Sequence, residues 1–403
     1  MPRVNPAVLR WARETAGLTP EDAARKVDLS DTRKATGAER IVELEEGRAQ
    51  PTRPLLLRMS KQYRRPLIVF YLAAPPRKGN RGQDFRTLPE VHDSSNEPLL
   101  DALVRDLRAR QSLLRDAIEE EDTPQPLKFI GSMRAGTGIP AAVNMLRTQL
   151  GVSLSAFRAA PTAEEAFRLL RDRAEGLGIF VVLIGNLGSH HTALGLETFR
   201  GLAIADPIAP FVVLNDQDSR PAWSFSLIHE LTHLWLGQTG ISGGVPDRGI
   251  ERFCNDVAAE YLFPASELIQ NFRSAAVSPD ELGAWVSTTA RAANVSRTMV
   301  AYRLYAFELI SRAQWQALRA MYREHWLQNR EGRRERAREE GGGPTFYIVR
   351  RHRLGPALLG TTSRLLASGA LTTGKVARVL GVKPTQVEHL LRITPPTLRT
   401  GEA

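Results

Sequence analysis

Trp223-Ser224-Phe225-Ser226-Leu227-Ile228-His229-Glu230-Leu231-Thr232-His233-Leu234-Trp235-Leu236-Gly237 is an apolar run with three polar side chains at a chemically informative spacing. His229 and His233 are four residues apart, so on a helix their imidazoles sit one above the other on a single face. Two imidazoles placed this way suit one divalent ion at about 2.0–2.1 Å each. Glu230 falls one step further round, beside the ligands rather than among them, where it can accept a proton from water without occupying the ion. The competing reading, two core histidines bonded to backbone carbonyls, would bury three polar side chains on an otherwise apolar helix, at a cost.

A catalytic zinc takes a third protein ligand and leaves one position open. The next helix reads Ile250-Glu251-Arg252-Phe253-Cys254-Asn255-Asp256-Val257-Ala258-Ala259-Glu260-Tyr261-Leu262-Phe263-Pro264, and the Gly/Pro-rich stretch 237–249 lets it fold back antiparallel to the first. Glu251 and Asn255 are i, i+4 on one face, so Glu251 can bind the ion while Asn255 orients a ligand histidine. Glu260 is nine positions on, about half a turn out of phase, and is the backup ligand. Cys254 reads as a small core residue. Tyr261, His190 and His191 are candidates to steady a developing oxyanion, and Arg200 and Asn215 to hold a peptide backbone. Upstream, 178–184 and 211–215 are strand-like runs, preceded by helices over 138–150 and 162–176. Strands followed by a long helix indicate a small sheet packed on helices.

Working outward, 403 residues exceed what one hydrophobic core usually supports, and 42% hydrophobic against 24% charged residues excludes a disordered or fibrous chain. No stretch approaches the ~18 uncharged apolar residues of a membrane span. Arg3 stands in a start without a signal-type apolar segment, and the single cysteine excludes a disulfide framework within the chain. These features point to a soluble cytoplasmic protein. Net charge is +10, divided as +7 over 1–90, −5 over 91–329 and +8 over 330–403. Basic ends favour phosphate backbones; the acidic middle does not.

Short helices follow from the N-terminus, with Gly17 ending the first and Thr19-Pro20 opening the second. The sequence divides into a five-helix N-terminal domain (1–74), a linker (75–97), a catalytic domain with trailing helices (98–325), a charged helix extension and linker (326–345) and a basic helical C-terminal region (346–403). Within the last, "ALTTGKVARVLGVKPTQVEHLL" resembles a helix-turn-helix pair, with Thr372 or Thr373 capping the first helix and Pro384 opening the second.

"FSLIHELTHLWLG" followed by "IERFCNDVAAEYLFP" resembles the ImmA/IrrE family of bacterial metallopeptidases, as does "ETFRGLAIADPIAPFVVLNDQDS" before them. Cys254 stands where that family's second motif usually has alanine, and Val257 where it has phenylalanine. The resemblance implies a mainly α fold with an α+β zincin-like core, zinc held by His229, His233 and Glu251, and Glu230 as general base. Separately, "GLTPEDAARKV", "IVELEEGRAQPT" and "LLLRMSKQYRRPLIVFYL" resemble the Cro/C1-type (XRE) helix-turn-helix family, which would place the region Lys34 to Arg40 at DNA. The connector 28–36 is longer than that family's tight turn, and Glu39, Glu43, Glu45 and Glu46 set negative charge near the groove-reading helix. Together the resemblances imply a zinc endopeptidase that cleaves a repressor or antitoxin in stress response and transcription regulation, DNA being a second partner. The alternative is a DNA-binding regulator or antitoxin-like protein whose peptidase-like domain senses a partner with little turnover. The presence of Glu230, which serves no purpose in merely holding metal, favours the enzyme.

Overall fold

Apolar runs such as Phe211-Val212-Val213-Leu214 make strands only where both faces are covered, and that is how they are used. The computed structural model describes residues 3–76, 96–121, 124–134, 136–188, 192–196, 198–239, 248–272, 278–339 and 345–392. They form two compact units: the smaller takes the described residues up to 76, those of 96–106 and those of 187–198, and the larger takes the rest.

The smaller unit is built on α1 (Pro6–Glu14), α2 (Pro20–Lys26), α3 (Gly37–Glu45) and α4 (Arg53–Gln62), whose first turns are capped by Asn5, Thr19, Thr36 and Thr52. Against the five helices expected over 1–74, four α-helices are followed by a 3₁₀ turn, Leu67–Tyr71, among the described residues. Pro66 opens it and the β-branched pair Ile68-Val69 disfavours longer helix. Leu9, Ile41, Leu56, Met59, Tyr63 and Phe70 form its core. Arg13 clasps Glu45 through two bonds, Nε to Oε1 at 2.7 Å and Nη2 to Oε2 at 2.9 Å, tying α1 to α3. Gly37 is required where it stands, because a Cβ there would lie 2.2 Å from the Leu29 carbonyl oxygen.

After α5 (Glu97–Glu121) come α6 (Ile139–Leu150), α7 (Leu154–Ala159) and α8 (Ala163–Gly176), then strands β1 (Phe180–Leu183), β2 (Gly201–Ile204) and β3 (Phe211–Leu214). The sheet order is β1-β3-β2, with β1 parallel and β2 antiparallel to the central β3. Alternate residues face opposite sides. Val181, Leu183, Ala203, Val212 and Leu214 join the main core, while Phe180, Val182, Leu202, Phe211 and Val213 are buried outside that cluster. α9 (Arg220–Trp235) packs on β2, β3 and α8, and α10 (Arg248–Leu262) packs on α9 and α6. α11 (Ala265–Asn271), α12 (Pro279–Ala292), α13 (Arg297–Ala306) and α14 (Arg312–Glu339) follow. The charge-dense stretch read as helix extension and linker is therefore helical as far as Glu339.

The C-terminal region forms α15 (Phe346–Leu354), α16 (Pro356–Ala367), α17 (Thr373–Leu380) and α18 (Pro384–Arg392). It does not stand apart, since α15 and α16 pack on β1. Arg171 on α8 anchors the corner between them: Nη1 donates to the His352 carbonyl at 2.6 Å and Nε to Glu175 at 2.9 Å, and Glu175 accepts from the Ala357 amide at 2.9 Å. Gly355 (φ 81°) makes that approach feasible, as a Cβ there would lie 2.2 Å from a Glu175 oxygen. No described helix is long and apolar enough to cross a membrane.

Candidate metal centre

α9 opens with Pro221 in its first turn and is buried on nearly every side from Trp223 to Trp235, the pattern of a core helix. Inside this apolar jacket His229 is 1%, Glu230 3% and His233 3% exposed, and Glu251 from the first turn of α10 is 5% exposed. The two Nε2 atoms lie 3.1 Å apart. Glu251 Oε1 is 2.9 Å from His233 Nε2, and its Oε2 is 3.5 Å from His229 Nε2. Ligands about 2.0–2.1 Å from a tetrahedral ion stand roughly 3.3 Å from one another, so the three atoms span a face of the right size.

The donor chemistry fits as well. Neither Glu251 oxygen accepts a hydrogen bond of good geometry; each faces an imidazole nitrogen instead. Burying a carboxylate this way is unfavourable unless a positive charge joins it. Burial alone would raise the Glu251 pKa, but the two imidazoles outweigh it and hold the carboxyl down at about 2. Burial likewise works to lower His233, yet the Cys254 sulfur, the Glu251 carboxylate and Glu230 keep it well above 6.5. Two nitrogens and one oxygen gathered this way are a donor set that could hold a divalent ion. Among the described residues this is the group of three or more His, Cys, Asp or Glu side chains arranged to hold a metal.

Glu230 packs against β2. A Cβ on Gly201 would lie 2.3 Å from Glu230 Oε1 and 2.8 Å from its Cδ. Glycine at 201 is what lets the carboxylate lie along the strand, and no sequence signal singled it out. Cys254, read as core, is indeed fully buried. It interacts electrostatically with His233, and burial pushes its thiol up. It flanks His233 from the α10 side, where Asn255 was expected to act; Asn255 is half-buried.

The other candidates lie elsewhere. Glu260 pairs with Arg303 at 2.7 Å and accepts from the Ala265 amide at 3.1 Å, so it serves the start of α11 rather than the cluster. Asn215 links the sheet to its surroundings, Nδ2 donating to the Phe199 carbonyl at 2.9 Å and Oδ1 accepting from the Gln217 amide at 3.0 Å. Tyr261 is buried, its hydroxyl pushed up to about 12 by desolvation, with the Arg147 guanidinium over its ring. Arg200 is half-buried. His190 and His191 lie outside the described residues. In the smaller unit Lys34 is exposed on the connector before α3, while Arg40 donates to the Ser30 carbonyl at 2.8 Å.

Residues 175–305, about a third of the chain, match a peptidase family model described as IrrE N-terminal-like domain. The match runs from the end of α8 through α13 and contains the whole His229–His233–Glu251 cluster. It supports a metallopeptidase of the ImmA/IrrE type for this stretch, acting on protein. No curated protein and no solved structure matches the chain.

Proposed function

We propose that this chain is a zinc endopeptidase in which His229, His233 and Glu251 hold the ion and Glu230 is the general base. The observation that carries the reading is a buried cluster of His229, His233 and Glu251 whose facing atoms lie 2.9–3.5 Å apart, with a second acidic side chain, Glu230, next to His229 on the same helix. When bound, a divalent ion supplies Lewis acidity, polarising a peptide carbonyl and making water a better proton donor. Glu230 takes that proton and returns it to the departing amine. Gly201 leaves room for its carboxylate, which on this reading acts as base rather than as a ligand. Cys254 and the apolar walls of α9 and α10 hold the histidines and limit water access, which strengthens each charge interaction inside.

The substrate proposed is a repressor- or antitoxin-like regulatory protein in the cytoplasm. That class rests on the family resemblance, as does a docking role, for substrate or DNA, of the N-terminal unit. Zinc content measured alongside cleavage of a proteome-derived peptide library by mass spectrometry tests the reading. Glu230→Gln should keep its zinc and lose about 10²–10⁴-fold in cleavage rate. Equal cleavage by that variant would remove the base; a wild-type chain free of zinc after purification in zinc would remove the site.

A further inference from the structure

A basic run of folded helices lies at the C-terminal end of the described residues. Residues 345–392 contain eight Lys/Arg and one Glu. α17 ends at Gly381 (φ 61°) and α18 begins at Pro384, so three residues join two short helices. Thr372 caps α17, accepting from the Lys375 amide. Val376, Val379, Leu380, Val387 and Leu390 are buried. The turn is braced: Arg350 Nη2 donates to the Leu380 and Gly381 carbonyls at 2.5 and 2.8 Å, and Arg351 Nη1 donates to the Leu390 carbonyl at 2.5 Å. The Gly381 φ of 61° is in the left-handed region that favours glycine, and the Arg110 and Arg350 guanidinium groups lie close by.

What remains outside is a coherent polar face. Lys375 and Arg378 are exposed on α17; Lys383, Thr385, Glu388 and Arg392 are exposed in or just before α18. Arg353 and Arg364 are taken by Asp216 and Glu121, and Arg392 by Glu388. Among the described residues, Lys375, Arg378 and Lys383 pair with no carboxylate. Two helices joined by a short glycine turn, the second presenting polar side chains from its N-terminal end, make the unit that enters a DNA major groove. The smaller unit offers the opposite surface: α3 and its C-cap carry Glu39, Glu43 and Glu46, none of them buried, and Arg40 is engaged by Ser30.

We propose that α17 and α18 bind duplex DNA. Lys375 and Arg378 lie on phosphates, and Lys383 and Thr385 face base edges. This inference stands apart from the peptidase reading and is tested without it, by fluorescence anisotropy of the full chain with a short labelled duplex across a salt series. Lys375→Glu/Arg378→Glu should weaken binding at least about tenfold and lower the salt slope by about 2. Lys128→Glu, at an exposed lysine between α5 and α6, should leave both unchanged. Thr385→Ala should keep the affinity for arbitrary duplex but alter the sequence enriched from a randomised pool. Unchanged far-ultraviolet circular dichroism and thermal unfolding verify that the variants are folded. Wild-type-like binding by the double charge reversal would overturn the proposal. So would the absence of binding at low salt, and an acidic peptide captured in DNA's place would make the face a protein-docking surface.

Discussion

Two places in the larger unit bury charged side chains to a similar depth and do opposite things with them. Arg171 and Glu175 on α8 are 4% and 8% exposed; His229 and Glu251 are 1% and 5%. At the first, donors meet acceptors throughout. Besides Glu175 and the His352 carbonyl, Arg171 Nη2 reaches the Val181 and Arg353 carbonyls at 2.5 and 3.3 Å. Burial lowers the Arg171 pKa and raises that of Glu175, and their mutual attraction opposes both shifts. At the second, a carboxylate faces two imidazole nitrogens, all three able to act as electron-pair donors toward a cation. Burial by itself therefore does not mark a functional site. What separates the two is whether the side chains complete one another or share a need for an additional positive charge.

The largest effect expected of any substitution lies in the second cluster. His229→Ala or Glu251→Ala should take zinc from near one per chain to near none and end cleavage, whereas Glu260→Ala should leave zinc in place; elemental analysis of dialysed protein reads all three. In the first cluster, Arg171→Ala should lose about 3–5 kcal/mol in urea unfolding, because Glu175 is left charged and buried. Arg171→Met with Glu175→Leu should recover most of that loss, since two apolar side chains need no partner. A matching rescue of His229→Ala by an apolar partner at 251 should restore stability without restoring zinc, and restored zinc would erase the contrast.

Gly201→Ala comes next. Its methyl group would displace the Glu230 carboxylate, so zinc should remain while kcat falls up to about 100-fold. Unchanged kcat would show that Glu230 is not held by the strand.

The smallest effect is on pH. His233 is raised above its unfolded value, so its contribution to the metal-free protein is complete below about 6.5 and fades as pH rises through the folded pKa. Glu251 is lowered to about 2, so its contribution is present above its unfolded value of 4.5 and is lost as pH falls through the folded one. Metal-free protein should therefore lose stability as pH climbs from weakly acid to alkaline, and zinc should flatten that decline. Chemical unfolding at several pH values with and without chelator measures it.

How much of this was legible beforehand depends on distance along the chain. The i, i+4 histidines, the half-turn phase difference between Glu251 and Glu260, and caps such as Ser278, Ser296 and Thr372 are short-range features, and their logic is visible in the letters. β2 was not: Gly-Leu-Ala-Ile has no alternation and weak strand preference, and it is a strand because β3 offers it a ladder. Gly201 looks like any loop glycine until Glu230 is placed against it. Cys254 looked inert because its partner, His233, lies on another helix. Arg171 reads as one of many surface arginines on a charged helix, and nothing local announces that α15 and α16 will close over it.

The order of residues alone settled that two imidazoles share a helical face with an acid beside them, that a second helix brings a correctly phased carboxylate, and that both chain ends are basic. Folding alone decided which acid meets the imidazoles, which glycine leaves room for Glu230, and which arginine is sealed inside. The division has a physical cause. Helical periodicity and capping act over one or two turns, where the covalent chain fixes geometry. The pairing of buried charges is set by whichever segments share a low-dielectric interior, a choice made only when distant parts of the chain pack together.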